Sequence, residues 1–134
     1  MPASGTADLH GLRILVVEDM LLVAEVIVEE LHDKGCRVVG PAARLAQALE
    51  LATSAELDGA LLDVNLAGER CFPIADELAK RSIPYVFLTG YGEGSIPAEY
   101  QHVPRLVKPF LSGALVELVA RSFAPARRET PGRP

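Results

Sequence analysis

Five side chains could do chemistry together: the acidic pair Glu18-Asp19, then Asp63, Thr89 and Lys108. Each stands where a short, largely apolar run ends: Arg13-Ile14-Leu15-Val16-Val17, Ala60-Leu61-Leu62, Pro84-Tyr85-Val86-Phe87-Leu88 and Arg105-Leu106-Val107. Taken singly, each has a plain reading. An Asp there caps the next helix, an acidic pair opens one, a Thr belongs to a turn and a Lys to the surface. Taken together they say more. Three carboxylates in one cleft repel one another and raise each other's proton affinity, which makes sense with a hard divalent cation among them. Magnesium takes oxygen ligands, keeps several waters and bridges carboxylate to phosphate, and the Asn65 carbonyl could add a further oxygen. Lys108 and Thr89 then become a point charge and a hydroxyl donor for an incoming phosphoryl group. Its transfer asks for charge neutralisation and in-line placement more than covalent help. A carboxylate such as Asp63 can serve as the nucleophile and give an acyl phosphate.

The elements that must position these groups follow from periodicity. The strand ending at Asp63 is a short apolar run bounded by turn signals, the pattern of a strand buried on both faces. The first strand spans residues 13–17, and a helix over 20–34 carries Leu21, Leu22, Val26, Ile27, Glu30 and Leu31 at helical spacing. Gly35 is its stop. Arg37-Val38-Val39-Gly40 is a second strand, broken by Pro41, and Leu45, Ala48, Leu49 and Ala52 give a second helix to about Thr53. Asp58-Gly59 is a turn before the Asp63 strand. A third helix covers Glu69 to Arg81, with Glu69 as its cap and Pro73 in its first turn, where the missing N–H costs little. The stretch Gly90 to Pro104 is predicted to be a loop with at most a short helix, and its glycines make it a hinge. Leu111, Leu115, Leu118 and Val119 build a last helix to about Phe123.

Five β-then-α alternations with short connections give an α/β fold, a parallel sheet covered by helices on both faces. In a doubly wound sheet ordered 2-1-3-4-5 the first and third strands are neighbours, and the ligand crevice opens where the winding reverses, at the strands' carboxyl ends. Three carboxylates converge there, with the hydroxyl and ammonium along one side. The expected division is a flexible leader over 1–11, one domain over 12–123 and a flexible tail over 124–134.

Composition narrows the class. A chain of 134 residues is one ordinary domain, able to bury a self-sufficient core. A net charge of −5 argues against a nucleic-acid face, which needs a basic stripe. Cys36 and Cys71 lack metal-type spacing and are expected as buried thiols in a reducing compartment. With no signal-peptide core and no membrane-length apolar run, the expectation is a cytoplasmic protein without a membrane partner. His10, His32 and His102 are scattered and read as neither ligands nor phosphorylated sites.

From about Arg13 to Phe123 the chain resembles the response-regulator receiver domain of two-component signalling: acidic pair, Asp, Thr and Lys-Pro fall in order at the matching elements. The resemblance implies a flavodoxin-like (CheY-like) doubly wound five-stranded parallel sheet with five helices, the fourth short or irregular. It implies phosphorylation of Asp63 by a histidine kinase or histidine phosphotransfer protein. It implies Mg2+ held by Asp19, Asp63 and the Asn65 carbonyl, with Glu18 acting through water. It implies Thr89 and Lys108 at the phosphoryl group, and a cis Lys108-Pro109 bond. Phe87-Leu88-Thr89-Gly90-Tyr91 is similar to the motif of the FATGUY subgroup, whose members often stand alone, with Leu88 in place of its Ala. Many receivers carry an aromatic three residues before the lysine; this chain has Arg105, and Tyr91 or movement of the Gly90–Pro104 loop could replace it.

The leading expectation is a stand-alone phosphoacceptor, monomer or weak dimer, that signals through protein contacts on the surface of the fourth helix, fifth strand and fifth helix. No catalytic turnover is expected beyond assisting its own phosphorylation and dephosphorylation. The alternative is a docking module that works without phosphorylation. A nucleotide- or flavin-binding enzyme of the same fold fits less well, because Glu18-Asp19, not a glycine-rich turn, follows the first strand.

Overall fold

The structure, a computed structural model, describes residues 9–90, 96–111 and 113–129, the side chains of residues 124–129 excepted. A five-stranded parallel sheet forms its centre. Its strands are β1 (Arg13–Val17), β2 (Arg37–Ala42), β3 (Gly59–Asp63), β6 (Tyr85–Thr89) and β7 (Arg105–Val107), in the order β2-β1-β3-β6-β7. Two short strands, β4 (Asn65–Leu66) and β5 (Glu69–Arg70), form an antiparallel hairpin beside it. The winding order is the expected 2-1-3-4-5 once the hairpin is set aside. The central strand β3 is buried at every residue, as its unbroken apolar run requires.

Helices cover both faces. Helices α2 (Leu45–Ser54) and α3 (Phe72–Lys80) pack on one face, where Leu62, Phe87, Ala48, Ile74 and Leu78 share one core cluster. Helices α1 (Leu21–Asp33) and α4 (Ala114–Glu129) pack on the other, with Ile14, Leu61, Ile27, Leu31, Leu115 and Phe123. Gly35 terminates α1 with φ +86°, in the left-handed region open to glycine. Gly59 is needed for a different reason: a Cβ there would sit 2.5 Å from the Phe123 ring.

Several local expectations need correcting. Pro41 does not end the second strand; β2 continues through a cis Gly40-Pro41 bond to Ala42, which an edge strand tolerates because one side has no ladder partner. Glu69 does not cap the third helix. It lies in β5, opposite Leu66, and α3 begins at Phe72. Ala67 and Gly68 both have positive φ (51° and 91°), the backbone of a two-residue hairpin loop, so the chain reverses before the helix starts. Leu111 precedes the last helix and is exposed, while that helix runs past Phe123 to Glu129. On α1 the buried stripe is Ala24, Ile27 and Leu31; Leu21, Leu22 and Val26 face out. Among the described residues there are four α-helices and a single 3-10 turn (Ala98–Tyr100) in place of a fourth regular helix. Tyr91 and the glycines at 92 and 94 lie outside the described residues. Cys36 and Cys71 are buried free thiols, as expected. Among the described residues no helix is long and apolar enough to cross a membrane.

Candidate phosphoacceptor site

Parallel register brings four strand ends to one place. Val17 pairs with Leu62 and Asp63 with Leu88, so Glu18, Asp63 and Thr89 emerge side by side from β1, β3 and β6. Thr89 pairs with Val107, and the Lys108 amide donates to the Thr89 carbonyl at 2.6 Å, which delivers Lys108 to the same end from β7. The Lys108-Pro109 bond is cis.

The side chains meet accordingly. Lys108 Nζ lies 3.2 Å from Glu18 Oε1 and 3.3 Å from Asp63 Oδ2. Glu18 and Asp63 are the two charged residues in the buried set among those described. Asp19 is half-buried, and its Oδ2 accepts from the Ala67 amide at 2.9 Å, which ties the turn after β1 to the hairpin after β3. The Met20 amide donates to Glu18 Oε2 at 3.1 Å and the Asn65 amide to Asp63 Oδ1 at 3.3 Å. Asn65 Oδ1 accepts from the Gly68 amide at 3.1 Å, so this side chain braces the hairpin loop. Glu18, Asp19 and Asp63 each offer a carboxylate oxygen within 4.8 Å of the others.

These contacts do not balance. One ammonium, paired with Glu18 and Asp63, stands against a cluster of three carboxylates, two of them out of water. Burial and then the Glu18 charge push the Asp63 carboxyl up to about 8, against the opposing pull of Lys108 and the Asn65 amide. At Lys108, burial lowers the affinity for a proton, but the charges of Asp63 and Glu18 outweigh it and the net shift is upward. Buried carboxylates that remain short of positive charge suit an added hard cation, and the all-oxygen donor set fits magnesium.

All the predicted site residues therefore sit at one end of the sheet, and Glu18, Asp19, Asp63 and Lys108 are brought together directly. Two features were not anticipated. The Ala67 amide positions Asp19, for which Asn65 and Gly68, both turn residues, were the available signal. Below Thr89, Tyr100 donates to Asp76 at 2.6 Å and stacks on Phe72 at 4.7 Å, with Phe87 edge-on to both rings. Nothing in the polar Gly90–Pro104 stretch pointed to that cluster. Arg105 points away from the site, its Nη2 donating to the Gln101 and Val103 carbonyls at 3.0 and 3.4 Å.

Known proteins share this fold and sequence pattern. The transcriptional regulatory protein PdtaR of Mycobacterium tuberculosis is 29% identical over 122 residues, which cover 88% of this chain and 60% of that protein. The chain thus spans about 60% of the length of the curated relatives it matches. SdrG from Sphingomonas melonis Fr1 is 37% identical, with a TM-score of 0.72 over 87% of this chain and 94% of that one. The receiver domain of the sensor histidine kinase PA1611 from Pseudomonas aeruginosa, whose structure has magnesium coordinated in the active-site cleft, is 25% identical with a TM-score of 0.68, covering 83% of this chain and 96% of that one. With residues 14–120 matching the sequence profile of the response regulator receiver domain, the chain belongs to that family.

Proposed function

We propose that this receiver domain accepts a phosphoryl group on Asp63 and carries a signal through contacts with other proteins. Receiver domains are signalling modules phosphorylated by histidine kinases or phosphotransfer proteins. The observation that carries the reading is the Lys108 ammonium 3.3 Å from a buried Asp63 whose oxygens cluster with those of Glu18 and Asp19. An Asp63 oxygen attacks the donor phosphorus in line, the phosphorus–nitrogen bond to the donor histidine breaks, and the imidazole keeps that electron pair. Lys108 follows the negative charge from the carboxylate onto the phosphoryl oxygens, and the Thr89 hydroxyl donates to one of them. Asp19, Asp63 and the Asn65 carbonyl would hold Mg2+, with Glu18 acting through water. Bound there, the ion would supply positive charge to offset the negative charge that builds up during transfer. The exposed Met20, Leu21 and Leu22, which follow the acidic pair directly, supply apolar area for a protein donor beside Asp63.

Acetyl phosphate with magnesium, read by intact-protein mass, tests the proposal. The expected result is one phosphoryl adduct, lost in Asp63→Asn and on chelation of the metal. An adduct that survives Asp63→Asn sinks it. One observation favours a second reading. Arg105 is occupied with the carbonyls of Gln101 and Val103 where many receivers have a switching aromatic. A docking module that ignores phosphorylation would bind its partner equally well as wild type and as Asp63→Asn.

A further inference from the structure

The opposite end of the sheet holds a second cleft of different character. It lies below the first residues of β6 and β7, between the end of α3 and the middle of α4, and has a volume of about 640 Å³. That is within the usual range for small-molecule sites. Thr89 and Lys108 stand at the far ends of these two strands, with Asp63 at the matching end of the neighbouring β3, so the two clefts are separated by the length of the sheet.

The lining is cationic on one part and apolar on another. Arg105, Arg121 and His102 contribute the charged or chargeable groups, Tyr85 and Ser122 hydroxyls, and Pro84, Pro104 and Leu118 apolar wall. Among the described residues no Asp or Glu lines it, although the Asp76 charge acts on Tyr85. In a chain of net charge −5 that is an unusual local balance. Among the described residues neither arginine nor His102 forms an ion pair with a carboxylate. Arg105 is half-buried and fixed: its Nη2 is spent on the carbonyls of Gln101 and Val103, which leaves the rest of its planar fork for another acceptor. Burial is the main cause that raises the Tyr85 phenol above its ordinary value, so Tyr85 is a neutral hydroxyl donor at physiological pH. Guanidinium forks match phosphate oxygens in pairs, and an aromatic and proline-lined wall suits a flat or apolar body.

We propose that this cleft is a second binding site, independent of magnesium, for a small organic phosphate. Its phosphate faces Arg105 and Arg121, and its body rests on Leu118, Pro84, Pro104 and the Tyr85 ring. The inference goes beyond the phosphoacceptor reading and stands or falls separately, since none of its residues belongs to the Asp63 site.

AMP, adenosine and inorganic phosphate are the probes, titrated into the full chain in chelator-containing buffer and followed by amide nuclear magnetic resonance. AMP is expected to shift the amides of Tyr85, Arg105 and Ser122 saturably while those of Asp63 and Thr89 stay in place. Each of Arg105→Gln and Arg121→Gln is expected to weaken it about tenfold, the loss of one charge-assisted contact. Arg121→Gln lies on the exposed side of a helix and keeps the test meaningful if Arg105→Gln folds poorly. Asp63→Asn is expected to bind AMP as wild type does. The proposal is overturned by no saturable shift up to about 10 mM AMP, by shifts centred on Asp63, or by arginine variants that bind unchanged. Adenosine or inorganic phosphate binding as tightly as AMP overturns it too, because either phosphate or body would then contribute nothing.

Discussion

Strands β1 and β3 carry an ion cluster at each end, and each has one basic side chain paired with two carboxylates. At the amino-terminal end Arg13 faces Asp58 and Glu56; at the carboxyl-terminal end Lys108 faces Glu18 and Asp63. The difference lies in water and in fit. Arg13, Glu56 and Asp58 side chains are 38%, 82% and 19% exposed, against 13%, 0% and 2% for Lys108, Glu18 and Asp63. Asp58 takes the Arg13 amide at 2.8 Å, the guanidinium Nε at 3.0 Å and Nη2 at 3.2 Å, so its oxygens are satisfied and it pins the starts of both strands. The other end is left short of positive charge by its third carboxylate, Asp19. One cluster closes on itself and is structural. The other keeps unmatched negative charge, which the proposed cation would offset. Residue types alone do not separate them; desolvation and the count of unmatched charge do.

Substitutions at either end separate the two clusters. The largest contrast is chemical: Asp63→Asn is expected to abolish the acetyl phosphate adduct, and Asp58→Asn to leave it intact, both read by mass. Next is Lys108→Ala, which leaves buried carboxylates without their cation. It is expected to cost about 3 kcal/mol of metal-free stability in urea unfolding, with magnesium recovering part of the loss. The pH dependence comes third. A carboxyl whose folded value is raised from 3.8 to about 8 holds its proton more tightly folded than unfolded. Its ionisation therefore costs folded-state stability increasingly as pH rises between those values, and the cost levels off above them. Asp63→Asn removes that cost, so its metal-free Tm advantage over wild type is expected to grow from pH 5 toward about pH 8. A gap that stays flat across the window contradicts the assignment. At the structural end, Asp58→Ala removes three hydrogen bonds and is expected to cost about 1–2 kcal/mol at any magnesium concentration. The smallest effect is Glu56→Ala, an exposed partner, expected within about 0.5 kcal/mol of wild type.

Cys71 offers a check on how dry the α2–α3 face is. Burial first, and the Asp63 charge second, push its thiol up to about 12. Ellman's reagent is therefore expected to leave Cys71 unmodified in the native protein at pH 8 and to react once urea unfolds it.

Much of this site was legible in the residue string. Buried parallel strands are continuous apolar runs, and a charged residue that ends such a run is marked by the break itself. Glu18, Asp63, Thr89 and Lys108 could therefore be placed at strand ends, and a parallel sheet puts successive strand ends on one edge. The order of types along the chain, with Lys-Pro last, was enough to suggest phosphoryl chemistry and the receiver fold.

Other features depended on non-local contacts. Helical spacing showed that Leu21, Leu22 and Val26 share α1 with Ile27 and Leu31, but which face meets the sheet is set by docking, and Ala24, Ile27 and Leu31 won it. Glu69 carries helix-capping chemistry, yet the positive φ of Ala67 and Gly68 folds it into a hairpin first. Composition did not tell Lys108, drawn between two buried carboxylates, from Arg13 clasped at the surface. Which groups exist and at which strand ends they stand follows from the residue order, because backbone alternation and hydrophobic periodicity are local. Which charges lose their water and which keep a partner is set by packing, because desolvation depends on every element packed around them.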